Sequence, residues 1–112
     1  MKKIWISKFI VSLFLIVFVV TTPFSNVEAI ENGEKLFLKN CSACHLDGNN
    51  IIIPEKNLAK ETLQENGMDS ISAISYQILN GKNGMPAFGG RLTEEEIEKI
   101  ATYVLQTSWT KL

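Results

Sequence analysis

CSACH, residues 41–45, places two thiols and an imidazole within five positions. Cys41 and Cys44 are the only cysteines of the chain, and His45 is its single histidine. Residues three apart lie on neighbouring turns of one helix face, so a helix here would direct both sulfur atoms to the same side. The stretch therefore predicts a site that uses the two thiols and the imidazole together.

Four kinds of site use such a cluster. Zinc needs about four ligands and would find three here, with no second cluster downstream. A thioredoxin-like pair would lie in a βαβ unit, and the sequence shows no convincing strand pattern. A disulfide between Cys41 and Cys44 would close a loop too short to restrain the unfolded chain. Covalent haem is favoured, with both thiols bonded to its vinyl groups and His45 bound to its iron.

The first 29 residues are typical of a secretory signal peptide. Three lysines precede an apolar run over 9–20, and Val27 and Ala29 precede a cleavage site before Ile30. The run is shorter than the roughly 20 apolar residues that span a bilayer, although an uncleaved anchor over 4–20 is the alternative. We expect residues 1–29 to be removed and residues 30–112 to form one exported domain without a membrane anchor.

The predicted mature chain is small and mildly acidic. Its 83 residues hold eight basic and eleven acidic side chains, which excludes a basic nucleic-acid-binding face. A chain of this length buries little apolar surface and usually needs disulfides, a metal or another inserted group in its core. Because a disulfide between the two cysteines would contribute little, we expect another group to fill the core.

Helical periodicity is clearest at the two ends of this domain. Over 33–45, helical spacing places Phe37 on the face that carries the two thiols. Thr93 and the three glutamates that follow it form a capping box at the start of the last helix. The apolar stripe of that helix comprises Ile97, Ile100, Ala101 and Val104.

Two shorter helices are predicted between these ends. One is capped by Asn57 and ends near Glu65, and the other is capped by Asp69 or Ser70 and runs to Ile78. Two Asn-Gly pairs, at 80–81 and 83–84, then mark successive turns.

Met85 is the favoured second ligand of the iron. It lies in the loop NGMPAFGG, residues 83–90, which Pro86 stiffens and glycines bound, and a preformed ligand needs such rigid support. Met68 directly precedes a helix cap and is expected to be a core or surface residue, and methionine also fills gaps in ordinary cores. With His45 and Met85 both bound, no coordination position is open, so one-electron transfer is the expected chemistry.

Three stretches resemble the cytochrome c6 family, the small soluble class I c-type cytochromes of cyanobacteria and algal plastids. They are NCSACHLDGNNIIIPEKNL (40–58), YQILNGKNGMPAFGGRL (76–92) and WTKL (109–112). The likeness runs from Asn32 to Trp109 and implies an all-α fold of about four helices around one covalently bound haem c. It also implies that the first and last helices cross, so that Gly33 and Phe37 meet the face near Ile100 and Tyr103.

The resemblance also implies the roles of particular residues. Cys41 and Cys44 would form the thioether bonds, and His45 and Met85 would be the axial ligands. Gln77 matches a glutamine close to the haem in this family, where the related low-potential plant form has valine, so a high-potential carrier is implied. Arg91, the single arginine of the chain, resembles the arginine with which the family docks to photosystem I.

The implied function is electron transport rather than catalysis. A monomer would carry electrons from the cytochrome b6f complex to photosystem I in the thylakoid lumen. One alternative is another lumenal or periplasmic class I cytochrome that serves a terminal oxidase. A gas-sensing or peroxidatic haem protein is the other, although the chain offers no additional distal histidine or arginine pair of the kind that peroxide cleavage uses.

For several residues the sequence also allows a simpler interpretation than a functional role. Arg91 could be a solvated surface cation, and Tyr103 and Trp109 are expected to pack rather than to pass electrons. Partners for the haem propionates could be Lys56, Lys82 or Asn49, and residue type alone does not choose among them.

Overall fold

The computed structural model describes residues 25–109, and within them the chain is helical without a β-strand. Helix α1 spans Ser25–Asn40, α2 Ser42–His45, α3 Lys60–Glu65, α4 Ile71–Asn80 and α5 Glu94–Gln106, and a 3₁₀ turn follows α2 at Leu46–Gly48. The prediction of an all-α fold is confirmed. Most of the predicted signal peptide, residues 1–24, lies outside the described residues.

The helix predicted over 33–45 is wrong in its extent. Helix α1 begins eight residues earlier, at Ser25, and ends before Cys41. The backbone forms a tighter turn after Cys41, where Cys44 N and His45 N both donate to Cys41 O, at 3.2 and 2.9 Å. Cys41 therefore lies between α1 and α2 and Cys44 lies within α2, yet the two residues remain one turn apart.

The caps of the two middle helices are partly as predicted. Asn57 does not cap α3; its Oδ1 accepts a hydrogen bond from Ala59 N at 3.0 Å, which closes a local turn before the helix. Ser70 caps α4, since its Oγ accepts from Ala73 N at 3.1 Å. That helix continues two residues beyond Ile78.

Helix α5 begins as its sequence predicts. Thr93 N donates to Glu96 Oε2 at 2.8 Å, and Glu96 N donates to Thr93 Oγ1 at 3.1 Å. Both bonds of the capping box are therefore formed. The predicted apolar stripe is buried throughout: Ile97, Ile100, Ala101 and Val104.

Helices α1 and α5 cross at Gly33, as expected. A Cβ atom at Gly33 would stand 2.9 Å from Tyr103 Cβ and would also meet the carbonyl of Lys99. One turn further along α1, the Phe37 ring centroid lies 5.4 Å from those of both Tyr103 and Trp109. The two C-terminal aromatic residues therefore pack across the crossing, as predicted.

We expect Gly33→Ala to destabilise the protein, although alanine is the better helix former. Helix propensity alone would add about 1 kcal/mol of stability, whereas overpacking a close contact costs about 1–3 kcal/mol. The sum predicts a loss of up to about 2 kcal/mol in the free energy of unfolding, measured with denaturant on the haem-loaded protein. Glu34→Ala, at the exposed neighbouring position, should change it little, and a more stable Gly33→Ala protein would contradict the close crossing.

Candidate functional site

A cavity of about 380 Å³ receives residues from all five described helices. Apolar side chains dominate its lining, and those that belong to the buried core include Phe37, Leu63, Ile74, Ile78 and Phe88. Cys41, Cys44, His45, Gln77 and Met85 line the same cavity. The fold thus brings the residues predicted to attach the haem, to bind its iron and to lie beside it around one apolar cavity.

The two cysteines are free thiols that differ in exposure. Cys41 is buried and Cys44 is half-buried. Burial raises the pKa of the Cys41 thiol to about 11, and the charge of the nearby Cys44 adds to the rise. Near neutral pH Cys41 is therefore a neutral thiol, and the pair is not bridged by a disulfide.

His45 is oriented by a backbone carbonyl. Its Nδ1 lies 2.9 Å from the carbonyl oxygen of Asn49, and because a carbonyl can only accept, Nδ1 carries the proton. The lone pair of Nε2 is then available to bind a metal. Sequence reasoning missed this role of Asn49, which had been one of the candidates for a propionate partner.

A two-residue turn presents Met85. Lys82 N donates to Met85 O at 3.1 Å, and Met85 N donates to Lys82 O at 3.0 Å. Asn83 and Gly84 form the turn with φ of 50° and 89°, and two positive φ values are typical of a type I′ turn. The loop is thereby held at a fixed register, which is the rigid support that its sequence predicted.

Gln77 on α4 faces the thioether of Met85. Its Nε2 donates to Met85 Sδ at 3.7 Å. Further along the loop, Phe88 N donates to Ile78 O at 2.9 Å, so the backbone of the loop is fastened to the helix that carries Gln77. The sequence alone pointed to Gln77 only through the family resemblance, because nothing in its spacing indicates a contact eight residues away.

The remaining candidate residues occupy different positions around the cavity. Met68 is half-buried against the core and also lines the cavity. Lys56 and Lys82 line it as well, whereas Asn49 does not. Arg91 is exposed, with its guanidinium carbon 4.8 Å from the ring centroid of Phe88. Arg91 therefore contacts Phe88, which itself lines the cavity.

The chemistry of these side chains fits a covalently bound haem. Two unbridged thiols can add to vinyl groups, and an imidazole and a thioether are the ligand pair of c-type cytochromes. Among residues 25–109, no three His, Cys, Asp or Glu side chains come together as a metal-binding group, so a zinc site finds no further ligand. The described helices also include none with the length and apolar character needed to cross a membrane.

Comparisons with known proteins agree with this chemistry. Residues 28–104 match the family described as cytochrome C oxidase, cbb3-type, subunit III. The cytochrome c6 of Bumilleriopsis filiformis is 61% identical over 79 residues, which are 70% of this chain and 92% of that protein. A Synechococcus cytochrome c6 is 54% identical over 79 residues, 70% of each chain. The structure of cytochrome c6 from the diatom Phaeodactylum tricornutum superposes with a TM-score of 0.66 at 50% identity, covering 68% of this chain and 90% of that one.

The helical fold and its cavity define a class I c-type cytochrome, an electron-transfer protein rather than an enzyme, with one covalent haem c. The chain belongs to the cytochrome c6 family. It is therefore a soluble electron carrier that exchanges electrons with redox partners.

Proposed function

We propose that this protein carries electrons from the cytochrome b6f complex to photosystem I in the thylakoid lumen. The observation that supports this most is an apolar cavity around which two thiols, an imidazole and a supported thioether converge. His45 and Met85 would both bind the iron and leave no position for a substrate, which favours reversible electron transfer over chemistry on a substrate. The direct test is the rate at which the purified, reduced protein re-reduces flash-oxidised photosystem I.

In this proposal Cys41 and Cys44 attach the haem, and His45 and Met85 bind its iron. When bound, haem c supplies reversible one-electron chemistry. The Asn49 carbonyl fixes the His45 ring, and the Lys82–Met85 hydrogen bonds fix the position of the thioether. These supports would hold both ligands in place in either oxidation state, so that little rearrangement would accompany electron transfer.

Gln77 is proposed to raise the midpoint potential. A donor directed at the thioether sulfur draws electron density from it, which disfavours ferric iron. Gln77→Val removes the donor and should lower the potential on the order of 0.1 V, a fraction of the roughly 0.8 V that axial ligands span. Redox titration measures it, with Gln106→Val on the exposed end of α5 as control. Equal potentials in Gln77→Val and the parent protein would remove Gln77 from the haem environment.

Apolar side chains beside the cavity support a docking role for this face. Ile52 lines the cavity and is 54% exposed, and a Cβ at Gly84 would lie 3.3 Å from its Cδ1. Pro86, in the same loop, is exposed and also lines the cavity. A carrier must bind briefly and release, for which a small uncharged patch with a few orienting charges is suited.

Arg91 is proposed to orient photosystem I at this patch. Its guanidinium can hold a carboxylate with two hydrogen bonds, which lysine cannot. We expect Arg91→Ala to slow association about tenfold at low salt, within the roughly 10- to 10³-fold range of electrostatic steering, and the loss should shrink as salt rises. Flash-induced reduction kinetics over a salt series measures this.

Two further variants separate docking from packing. Arg91→Lys keeps the charge and should recover part of the rate, and Lys39→Ala on the exposed surface of α1 should leave it unchanged. Because Arg91 also covers Phe88, its loss should cost about 0.5–1 kcal/mol of stability. An unaltered second-order rate across all salt concentrations would return Arg91 to the solvated surface.

We also propose that residues 1–29 are a signal peptide and that residues 30–112 form a monomer in the lumen. The proposed cut before Ile30 lies within α1, but it precedes the crossing at Gly33 and would leave that contact intact. The intact mass of the purified protein would locate the cut, and retention of residues 1–29 would support an uncleaved anchor.

Donation to a terminal oxidase is a second candidate function. It is favoured by the match of residues 28–104 to a family described as an oxidase subunit. Oxygen uptake by purified oxidase, compared with photosystem I reduction at the same protein concentration, distinguishes the two partners.

A further inference from the structure

We propose that Asn83 is a site of spontaneous deamidation, selected by the fold from four Asn-Gly pairs in the chain. In this reaction the backbone nitrogen of Gly84 bonds to Cγ of Asn83, the Cγ–Nδ2 bond breaks, and ammonia leaves. Water then opens the cyclic imide at either carbonyl and gives aspartate or isoaspartate. The net change consumes water and releases ammonia, so it needs neither oxidant nor reductant.

Sequence alone does not distinguish the four pairs, because each asparagine is followed by glycine: Asn32-Gly33, Asn66-Gly67, Asn80-Gly81 and Asn83-Gly84. Glycine favours the reaction at all of them, since no side chain hinders the attacking nitrogen. The difference must come from whether the folded chain leaves the reacting groups free.

The Asn66-Gly67 pair is held at both reacting groups. Gly67 N donates to Gln64 O at 3.1 Å, and Asn66 Nδ2 donates to Thr62 O at 2.8 Å. Cyclisation there requires both hydrogen bonds to break, and the end of α3 must open with them.

The two remaining pairs are held by helices. Gly81 N donates to Gln77 O at 2.8 Å, and Asn80 Nδ2 donates to Tyr76 O at 2.9 Å. Gly33 lies inside α1, at the close crossing with α5. Reaction at Asn32 would therefore need the central packing of the domain to open.

Asn83 and Gly84 differ from these pairs in lacking such restraints. Both residues are exposed. Within the described part of the chain, neither the Asn83 side chain nor Gly84 N takes part in a hydrogen bond. The two bonds that close the turn belong to the flanking Lys82 and Met85. Among residues 25–109 of the folded chain these reacting groups are thus free of hydrogen bonds, so no helix has to open before they react.

The two products should affect the turn differently. Aspartate keeps the length of the backbone and tolerates the positive φ of 50° at position 83. Isoaspartate adds a backbone carbon to a two-residue turn, so the paired bonds between Lys82 and Met85 cannot both be kept. If Met85 is the axial ligand of the proposed function, isoaspartate weakens that ligation; the selective deamidation itself does not rest on this.

The test is peptide mass spectrometry on haem-loaded protein incubated at mildly alkaline pH, with aspartate and isoaspartate peptides separated by chromatography. We expect Asn83 to react at least about tenfold faster than the next of the four pairs, since two hydrogen bonds hold each of the pairs at Asn66 and Asn80 and helix packing holds Gly33. In the chain unfolded with denaturant, the four rates should converge. Equal rates in the folded protein, or a slower reaction at Asn83 than at Asn66 or Asn80, would overturn the proposal.

Two variants extend the test to Met85. Asn83→Gln should remove the fast reaction, because its longer side chain closes a less favourable ring. Asn83→Asp adds the same charge without the extra backbone carbon, so it should keep the far-red absorption band of methionine-ligated ferric haem, whereas the isoaspartate fraction should lose it. A fast reaction at Asn83 with an unchanged band in the isoaspartate fraction would confirm the modification site and overturn only its effect on Met85.

Discussion

Met85→Ala should lower the midpoint potential on the order of 0.2 V, part of the roughly 0.8 V that axial ligands control, and should let the ferrous protein bind carbon monoxide. Thioether sulfur stabilises ferrous iron more than ferric iron, so its loss favours the ferric form. The absence of the side chain also opens a coordination position. Redox titration and visible spectra under carbon monoxide measure the two effects.

Met68→Ala is the matched control for this prediction, because Met68 lines the same cavity and is also half-buried. It should leave the potential nearly unchanged and should admit no carbon monoxide. Its expected cost is in stability, about 2–5 kcal/mol for a buried methionine and less for one that is half-buried. If the control behaved as predicted for Met85→Ala, the ligand role would pass to Met68. Rapid carbon monoxide binding by the unmutated protein would instead favour a gas-sensing or peroxidatic protein.

The double variant Cys41→Ser with Cys44→Ser should lose covalent haem altogether. Serine hydroxyls do not form the thioether bonds, so acid-acetone should extract any haem from this variant and none from the parent protein. The apolar cavity of about 380 Å³ would then lack a tethered occupant. At about 24 cal/mol per Å³, an empty cavity of that size costs on the order of 9 kcal/mol, comparable with the 5–15 kcal/mol by which domains are stable. We therefore expect the variant to lose its cooperative unfolding transition.

Ser42→Ala is the control within the same motif, since the Ser42 hydroxyl donates to the carbonyl of Leu38, one turn earlier. It should retain covalent haem and nearly normal stability. Each single cysteine variant should keep one thioether bond, which the pyridine haemochrome spectrum detects as a shift of the reduced band to longer wavelength. Extraction of haem from the unmutated protein by acid-acetone would contradict the attachment.

Some residues of the candidate site could be predicted from local sequence, whereas a contact between two of them could not. Cys41, Cys44 and His45 are neighbours in the chain, so local helical geometry was enough to predict that they share a site. Met85 could be predicted as the second ligand because Pro86 and the surrounding glycines indicate a rigid turn. Its contact with Gln77 could not be derived in this way, because it depends on how a loop returns to the preceding helix.

The sequence by itself determined the helical class, the capping box at Thr93 and the buried stripe of α5, because caps and periodicity act within a few residues. Only the tertiary structure decided that Asn57 closes a turn instead of capping α3, and that the carbonyl of Asn49 orients His45. It also decided which of four identical Asn-Gly pairs keeps its reacting groups free. The physical reason is the same throughout: these outcomes depend on which hydrogen-bond donors and acceptors the packed chain has already used, and local sequence does not contain that information.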